Sequence, residues 1–181
     1  MIWPLVKLIS GAQSGADQAG LFSAEAVGVA TGGYCTRGCR TESGDRPDLI
    51  ARFGLTELPT DDYSIRTLAN VKAAGGTVIF GDVTEPGSAL TCRYVQIELG
   101  ERGLLINPTA KELRDWIMRD EIRVLNVAGN RLSKLGVDGY NDVCRVVSAA
   151  VAPVGVLVVA PPLIGQLEQA RRHRNGWLGG R

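Results

Sequence analysis

Short apolar runs alternate with longer amphipathic stretches along the chain, a pattern typical of an α/β protein. The runs LVKLI, VATGGYC, GTVIFGD, LLINP and RVLNVAGN predict five strands. Helical patterns fall between and after them, at residues 17–27, 61–73, 87–100, 110–119 and 133–150. Strands that alternate with helices predict a mainly parallel sheet that is covered by helices on both faces.

Local signals refine three of these elements. Asp61 or Asp62 is expected to cap the second helix, and Thr109 with Glu112 forms a capping-box pattern at the fourth. Residues 36–55 are rich in Gly, Arg and Asp, and we interpret them as a long loop that follows the second strand.

The last part of the chain has a different character. Residues 146–164 carry no charge and are about long enough to span a bilayer, but Pro153, Gly155, Pro161 and Pro162 interrupt them. We therefore favour the end of a helix followed by a buried strand, VGVLVVA, and interpret RRHR as solvated surface. The predicted organisation is one domain at residues 1–150 and a C-terminal extension at 151–181.

The composition limits which partners the protein is expected to bind and where in the cell it is expected to act. The 181 residues are 45% hydrophobic and 22% charged with a net charge of +1, so no broad field attracts nucleic acid or a membrane. Four cysteines in a domain able to bury its own core do not suggest a disulfide framework. The apolar start lacks the basic leader of a signal peptide, and we expect a cytoplasmic protein.

Ligands of open parallel sheets bind beyond the carboxyl ends of the strands, and segment 1 (residues 11–17) lies at such an end. Its glycines allow a close backbone approach, and the N–H groups of the next helix can bind an anion. Asp17 would repel phosphate, so we expect it at the helix start or as an acceptor for a ligand hydroxyl. A P-loop and a dinucleotide fingerprint are both absent. The ligand-binding candidates here are Gly11, Ala12, Gln13, Ser14, Gly15 and Asp17.

Segment 2 (residues 81–94) and segment 3 (residues 126–134) repeat this arrangement. Each places small or hydroxyl residues between a strand and a helix, and segment 3 adds two cations that can hold phosphate. We expect Arg131 and Lys134 to reach a phosphate close to segments 1 and 2. The candidates are Gly81, Asp82, Gly87, Ser88, Ala89, Thr91, Asn126, Gly129, Arg131 and Lys134.

The loop GGYCTRGCRTESGDRP supplies Tyr34 as a stacking ring and Arg37 and Arg40 as cations. Cys35 and Cys39 are the only cysteines with local spacing, and no second pair completes a zinc set, so we predict no metal site. His173 is the only histidine, which disfavours histidine catalysis. Hydrolytic chemistry would have to rely on carboxylates such as Asp17, Glu42, Asp82 and Glu85.

Several motifs occur in an order that resembles a known family. They are SGAQSGAD, GGYCTRGCRTESG, LTELPTDDYSIRTLANV, GTVIFGD, PGSALT and RVLNVAGNRLSK. The chain from about residue 5 to about residue 150 resembles the molybdenum carrier proteins, the circularly permuted YpsA-type branch of the SLOG superfamily. The resemblance implies a Rossmann-like three-layer sandwich, a homo-oligomer and a pocket for a nucleotide-like or pterin phosphate. For some members it implies the molybdenum cofactor.

The chain departs from the family pattern conservatively. Ala12, Ser14 and Ala16 stand where the family usually has Gly, Thr and Val, and Ser88 replaces a Thr. These changes keep small size and hydroxyl groups, so the expected function is a binding or carrier protein for a phosphorylated ligand, either the molybdenum cofactor or a nucleotide.

The alternative function is a hydrolase that cleaves the N-glycosidic bond of a nucleotide. Related phosphoribohydrolases place a Glu in the helix turn after their Gly-rich motif. Here Leu90, Thr91, Cys92 and Arg93 follow Gly87, and Glu98 comes too late. This disfavours the hydrolase, and we predict no catalytic residue. A third hypothesis is a structural oligomer whose glycine-rich segments are only turns.

Overall fold

Six parallel strands form the central sheet in a computed structural model that describes residues 3–153. The strands are β1 (Lys7–Ile9), β2 (Ala30–Cys35), β5 (Leu55–Glu57), β6 (Gly76–Phe80), β7 (Leu104–Ile106) and β8 (Val124–Gly129). They lie in the order β5-β2-β1-β8-β6-β7. A separate antiparallel pair, β3 (Arg40–Thr41) and β4 (Gly44–Asp45), forms a small hairpin.

Helices cover both faces of the sheet. They are α1 (Ala16–Ala26), α2 (Pro47–Phe53), α3 (Tyr63–Ala73), α4 (Pro86–Glu98), α5 (Ala110–Arg119) and α6 (Leu132–Val151). Helix α6 packs against α1 and α5 on one face, and α3 packs against α4 on the other. The predicted Rossmann-like three-layer sandwich with a parallel sheet is confirmed.

The last strand within residues 3–153 lies in the centre of the sheet. Strand β8 pairs with β1 on one side and with β6 on the other, both in parallel. Strands β2 and β5 therefore lie on one side of β1, and β8, β6 and β7 lie on the other. Doubly wound sheets bind ligands at the point where the strand order reverses in this way. The carboxyl ends of β1, β8 and β6 are neighbours, so the residues that follow these three strands meet at one edge.

The core lies where the central strands contact the helices. All five residues of β6 are buried, as expected for a parallel strand covered on both faces. Leu125 and Val127 of the neighbouring β8 and Leu8 of β1 are fully buried as well. This core fixes the strand ends from which the candidate site is built.

Residues 36–55 were predicted to be one long loop, and that prediction is wrong. They contain a short 3₁₀ turn, the β3–β4 hairpin and helix α2, and they end at strand β5. Pro47 begins α2, while Leu49 and Phe53, four residues apart, are buried. The ring of Phe53 packs edge-on against Phe22 of α1, with centroids 5.0 Å apart. Two buried positions in a polar stretch were too few to reveal this helix.

The predicted helix starts agree with the structure to within two residues. Asp62 caps α3 by accepting a hydrogen bond from the Ser64 N–H at 2.7 Å. Thr109 and Glu112 form the predicted capping box of α5. Helix α6 is different, because Gly136 has φ 72° and ψ 172° and separates its first turn from the rest. Segment 3 therefore leads into a single turn before the regular helix begins.

Within residues 3–153, no helix combines the length and the apolar character needed to cross a membrane. The predicted strand VGVLVVA, the RRHR stretch and most of the C-terminal extension lie outside the described residues.

Candidate functional site

Segments 1 and 3 contact each other through their backbones. The N–H of Ala16 donates to the carbonyl of Asn130 at 3.1 Å. Gly15 has φ 93°, and a Cβ there would lie 2.4 Å from the same carbonyl oxygen, so only glycine fits this contact. Gly15 thus joins the end of β1 to the end of β8.

Asn130 then joins segment 3 to segment 2. Its Oδ1 accepts a hydrogen bond from the Asp82 N–H at 2.6 Å. Its Nδ2 donates to the Asp82 carbonyl and to the Ser88 hydroxyl, each at 3.0 Å. Both Asn130 and Ser88 are buried. The structure therefore brings all three segments together at the carboxyl edge of the sheet, and we call the space they border the crevice.

Helix α4 begins at this edge with an open backbone. Its first intrahelical hydrogen bond runs from the Ala89 N–H to the Glu85 carbonyl, which leaves the N–H groups of Gly87 and Ser88 ahead of it. Gly87 is exposed, and no atom lies within 4 Å of the position that a Cβ would take. Thr91 was expected to donate to a ligand, but its hydroxyl donates to the Gly87 carbonyl at 2.9 Å.

A buried ion pair lies over segment 1. Nη1 of Arg66, in the first turn of α3, is 3.3 Å from Oδ2 of Asp17, in the first turn of α1. Their side chains are 11% and 5% exposed. Burial raises the pKa of Asp17, while Arg66 and the N–H of Gln13 act in the opposite direction. Asp17 is at the helix start, as predicted, but the sequence did not single out its partner Arg66.

Gly11 allows the guanidinium of Arg66 to lie against segment 1. A Cβ on Gly11 would approach Nη1 to 2.0 Å and Cζ to 2.2 Å, so any larger residue would displace the guanidinium. Ala12, next to it, is buried with φ 59°, and its carbonyl accepts a hydrogen bond from Gln18. Segment 1 is therefore covered by a cation on the α3 face of the sheet.

The β3–β4 hairpin contacts segments 1 and 3 through Glu42. The carboxylate accepts hydrogen bonds from the hydroxyls of Ser14 and Ser133, both at 2.7 Å, and from the Ser133 N–H at 3.0 Å. The Glu42 N–H donates to the side chain of Gln13 at 2.8 Å. Burial tends to raise the pKa of Glu42, but the hydrogen bonds from both serines outweigh it and lower that pKa. Glu42 is thus an exposed anion whose hydrogen bonds hold the hairpin against the crevice wall.

The two cations of segment 3 lie at the rim. Nζ of Lys134 is 3.2 Å from Oε1 of Glu85, so it reaches segment 2 as expected. Arg131 is exposed and precedes the first turn of α6, where its charge acts on Glu42.

Some candidates lie away from the crevice edge. Asn126 is buried within β8, three residues before its end at Gly129, and donates to the Thr77 hydroxyl at 3.2 Å. Arg37 is exposed and donates to the Pro59 carbonyl at 3.0 Å. Tyr34 is half-buried in β2 and bonded through its backbone to Asn70, and Arg40 is exposed on the hairpin. Tyr34, Arg37 and Arg40 border the β2 side, whereas Asn126 lies between the central strands.

The four carboxylates considered for hydrolysis all have partners. Asp17 pairs with Arg66, Glu42 binds two serines, and Glu85 pairs with Lys134. Oδ1 of Asp82 accepts hydrogen bonds from the N–H and hydroxyl of Thr84 at 2.8 and 2.7 Å, which lower the pKa of Asp82.

The cysteines of the β2 side are reduced in the structure. Cys35 and Cys39 are buried, and contact between their thiols lowers the pKa of Cys35 and raises that of Cys39. Within the described part of the chain, no three Cys, His, Asp or Glu side chains lie close enough to hold a metal ion.

A separate groove of about 790 Å³ lies at the opposite, amino end of the sheet. It is lined by Trp3, Pro4, Val6, Asp115, Met118, Arg119, Glu121 and Arg123. It shares no residue with the three segments.

Sequence reasoning missed two residues that organise the crevice. Arg66 was not singled out, although it falls within the motif LTELPTDDYSIRTLANV. Asn130 falls within segment 3, but one buried amide that joins two loops has no local sequence pattern. Both depend on contacts between residues more than 40 positions apart.

Comparison with known proteins agrees with this architecture. Residues 8–149 match the model of the circularly permutated YpsA SLOG family. The crystal structure of the "Putative molybdenum carrier protein" from Syntrophus aciditrophicus SB is similar, with a TM-score of 0.72 and 31% sequence identity. The match covers 82% of this chain and 96% of that one. No curated protein matches the sequence. The fold, its strand order and the family match over residues 8–149 together show that the chain belongs to the circularly permutated YpsA SLOG family.

Proposed function

We propose that this protein binds and carries a phosphorylated small molecule in the crevice. The observation that supports this most directly is the convergence of three strand-end segments beside the first turn of α4. That turn offers the N–H groups of Gly87 and Ser88, and the side of Gly87 is open. Backbone N–H groups at a helix start are suited to phosphate.

The molybdenum cofactor is the first candidate for the cargo, and a nucleotide-like molecule is the second. The name of the similar Syntrophus protein and the family match favour the first. Both molecules present a phosphate to N–H donors, and the donors around the crevice suit either one. In this proposal, Arg131 and Lys134 add charge at the rim, while Tyr34, Arg37 and Arg40 border the β2 side.

A carrier is favoured over a hydrolase because Asp17, Glu42, Asp82 and Glu85 are all engaged in ion pairs or hydrogen bonds. A general base needs a carboxylate within reach of the water that it activates. An assay for the release of free base from nucleoside monophosphates tests the hydrolase alternative. Turnover that disappears in Asp17→Asn or Glu85→Gln would support the hydrolase.

Native mass spectrometry of the folded chain tests the binding proposal. The probes are the molybdenum cofactor, ADP-ribose, AMP and ADP, and adenosine is the control without phosphate. We expect a complex with at least one phosphorylated probe and none with adenosine. If the folded protein binds none of the probes, the proposal is wrong.

We further propose that the carrier acts in the cytoplasm as a homo-oligomer, as its family resemblance implies. Light scattering after size-exclusion chromatography tests the assembly. A single species with the 19.3 kDa mass of one chain would contradict the oligomer.

A further inference from the structure

We propose that Arg66 binds the phosphate of the ligand, and that Asp17 holds the Arg66 guanidinium in position before the ligand binds. This inference rests on the proposed function and names the cation that would provide most of the recognition.

The guanidinium of Arg66 has few hydrogen-bond partners for a cation that is largely buried. A guanidinium has five N–H donors. Among residues 3–153, its one hydrogen bond is the 3.3 Å contact to Asp17, and its buried Nε has no partner. Burying charged donors without partners is unfavourable, so native structures usually satisfy them. An incoming anion would supply the missing acceptors.

The location of Arg66 suits this role better than those of the rim cations. Its guanidinium lies on Gly11, in the segment that follows the central strand β1. Its side chain is 11% exposed, whereas that of Lys134 is 55% exposed and already paired with Glu85. A charge contact that is shielded from water is stronger than an exposed one.

Two further contacts hold Arg66 in place. Its Cζ lies 5.6 Å from the centre of the Tyr63 ring, and the Tyr63 hydroxyl donates to the Arg40 carbonyl at 3.2 Å. The Arg66 carbonyl accepts a hydrogen bond from the buried Asn70, which also binds the backbone of Tyr34. The guanidinium is therefore positioned before a ligand binds, which favours affinity.

The planar fork of arginine defines the class of ligand. Two parallel N–H groups match two oxygens of one phosphate, and lysine cannot reproduce that geometry. The expected ligand is a phosphomonoester or diphosphate whose oxygens reach segment 1. Asp17 competes for the same guanidinium, so the anion must share Arg66 with it.

Opposite responses of two variants test the inference. AMP, ADP and inorganic pyrophosphate are titrated calorimetrically into the wild type, Arg66→Lys and Asp17→Asn, with thermal unfolding measured for each. Arg66→Lys keeps a positive charge beside Asp17, and we expect it to bind at least about tenfold more weakly because the fork is lost. Asp17→Asn removes the competing carboxylate, and we expect several-fold tighter binding.

Arg52→Lys is the matched control, because Arg52 also pairs with a carboxylate of α1, through two hydrogen bonds to Glu25 at the other end of that helix. It should bind each probe like the wild type. If the wild type binds a probe but Arg66→Lys binds it equally well, the role of Arg66 is refuted while the carrier function stands. If Asp17→Asn does not tighten binding, the competition between Asp17 and the ligand is refuted. If the wild type binds none of the three, the inference about Arg66 fails, whereas the carrier proposal is decided separately by the molybdenum cofactor and ADP-ribose.

Discussion

Asp17 and Arg66 belong to helices on opposite faces of the sheet, and their side chains meet 3.3 Å apart over Gly11. The pair covers the carboxyl end of β1, the strand that separates β2 and β5 on one side of the sheet from β8, β6 and β7 on the other. A buried ion pair is weak as a source of stability, but breaking it leaves an uncompensated charge. Variants of this pair therefore report on both folding and binding.

Arg66→Met should lower the free energy of unfolding by about 3 kcal/mol at pH 7, because Asp17 then stays buried without its cation. The double variant Asp17→Asn with Arg66→Met should recover most of this loss. Urea unfolding of the wild type, both single variants and the double variant gives the coupling between the two residues. Additive effects would show that the two side chains do not interact.

The deficit of Arg66→Met should also depend on pH. Burial raises the pKa of Asp17 above its unfolded value, and removing Arg66 raises it further. A carboxyl group with a raised folded pKa loses stability as pH rises from the unfolded value of about 3.9 through the folded one. The deficit should therefore be smaller at pH 4 than at pH 7, and the opposite trend would contradict this account.

Asn130→Ala should disconnect segments 2 and 3. It removes three hydrogen bonds at a buried position and leaves the Asp82 backbone and Ser88 without that partner. We expect a loss of about 2–3 kcal/mol in urea unfolding. Asn107→Gly is the control, because Asn107 bonds Gly81 similarly but at an exposed site with φ 44°. Equal losses of unfolding free energy in both variants would show that the burial of Asn130 does not determine the size of the effect.

Glu42→Ala should loosen the β3–β4 hairpin with little effect on global stability. Three hydrogen bonds to its carboxylate are lost, but the residue is exposed, so the expected loss is about 0.5–1 kcal/mol. Hydrogen exchange at residues 40–45 should rise at pH 7. Ser43→Ala is the control, since the Ser43 side chain has no hydrogen bond among residues 3–153.

The contribution of Glu42 should disappear in acid. Its folded pKa is lowered, so its stabilisation is present above the unfolded value of about 4.3 and is lost as pH falls through the folded value. Wild type and Glu42→Ala should therefore have similar hairpin exchange once the pH has fallen below that folded value. A difference that persists there would contradict the assigned role of the carboxylate.

Arg131→Ala combined with Lys134→Ala tests the rim cations. Each charge-assisted contact contributes roughly 1.5–3 kcal/mol, so losing one should weaken ligand binding about ten- to a hundredfold and losing both about a hundredfold or more. The melting temperature should change little, because both side chains are exposed. Unaltered affinity would place them on solvated surface and leave recognition to segments 1 and 2 and Arg66.

Much of the fold could be predicted from the sequence because it depends on local patterns. Apolar runs marked the central strands, and Asp62 and Thr109 marked helix starts. Helix α2 and strand β5 were missed because they are short and lie in a polar stretch, where only Leu49 and Phe53 among the residues of α2 are buried. Local pattern cannot reveal elements that tertiary contacts stabilise.

The candidate site was predictable in outline only. Glycines and hydroxyl residues at strand ends indicated which segments would meet. The sequence could not show that Asn130 would join them, that Glu42 would fold back onto Ser14, or that Arg66 would cross the sheet edge to Asp17. Those relationships arise from the order of strands in the sheet, which places β8 beside β1.

The most direct test of the carrier proposal compares each ligand with its dephosphorylated form. Wild-type protein is titrated calorimetrically with AMP beside adenosine, and with the molybdenum cofactor beside its dephosphorylated form. The account predicts saturable binding of at least one phosphorylated member, with its partner bound at least about a hundredfold more weakly, as expected when two charge-assisted contacts are lost. No binding by either phosphorylated member, or equal affinity for both members of every pair that binds, would contradict it.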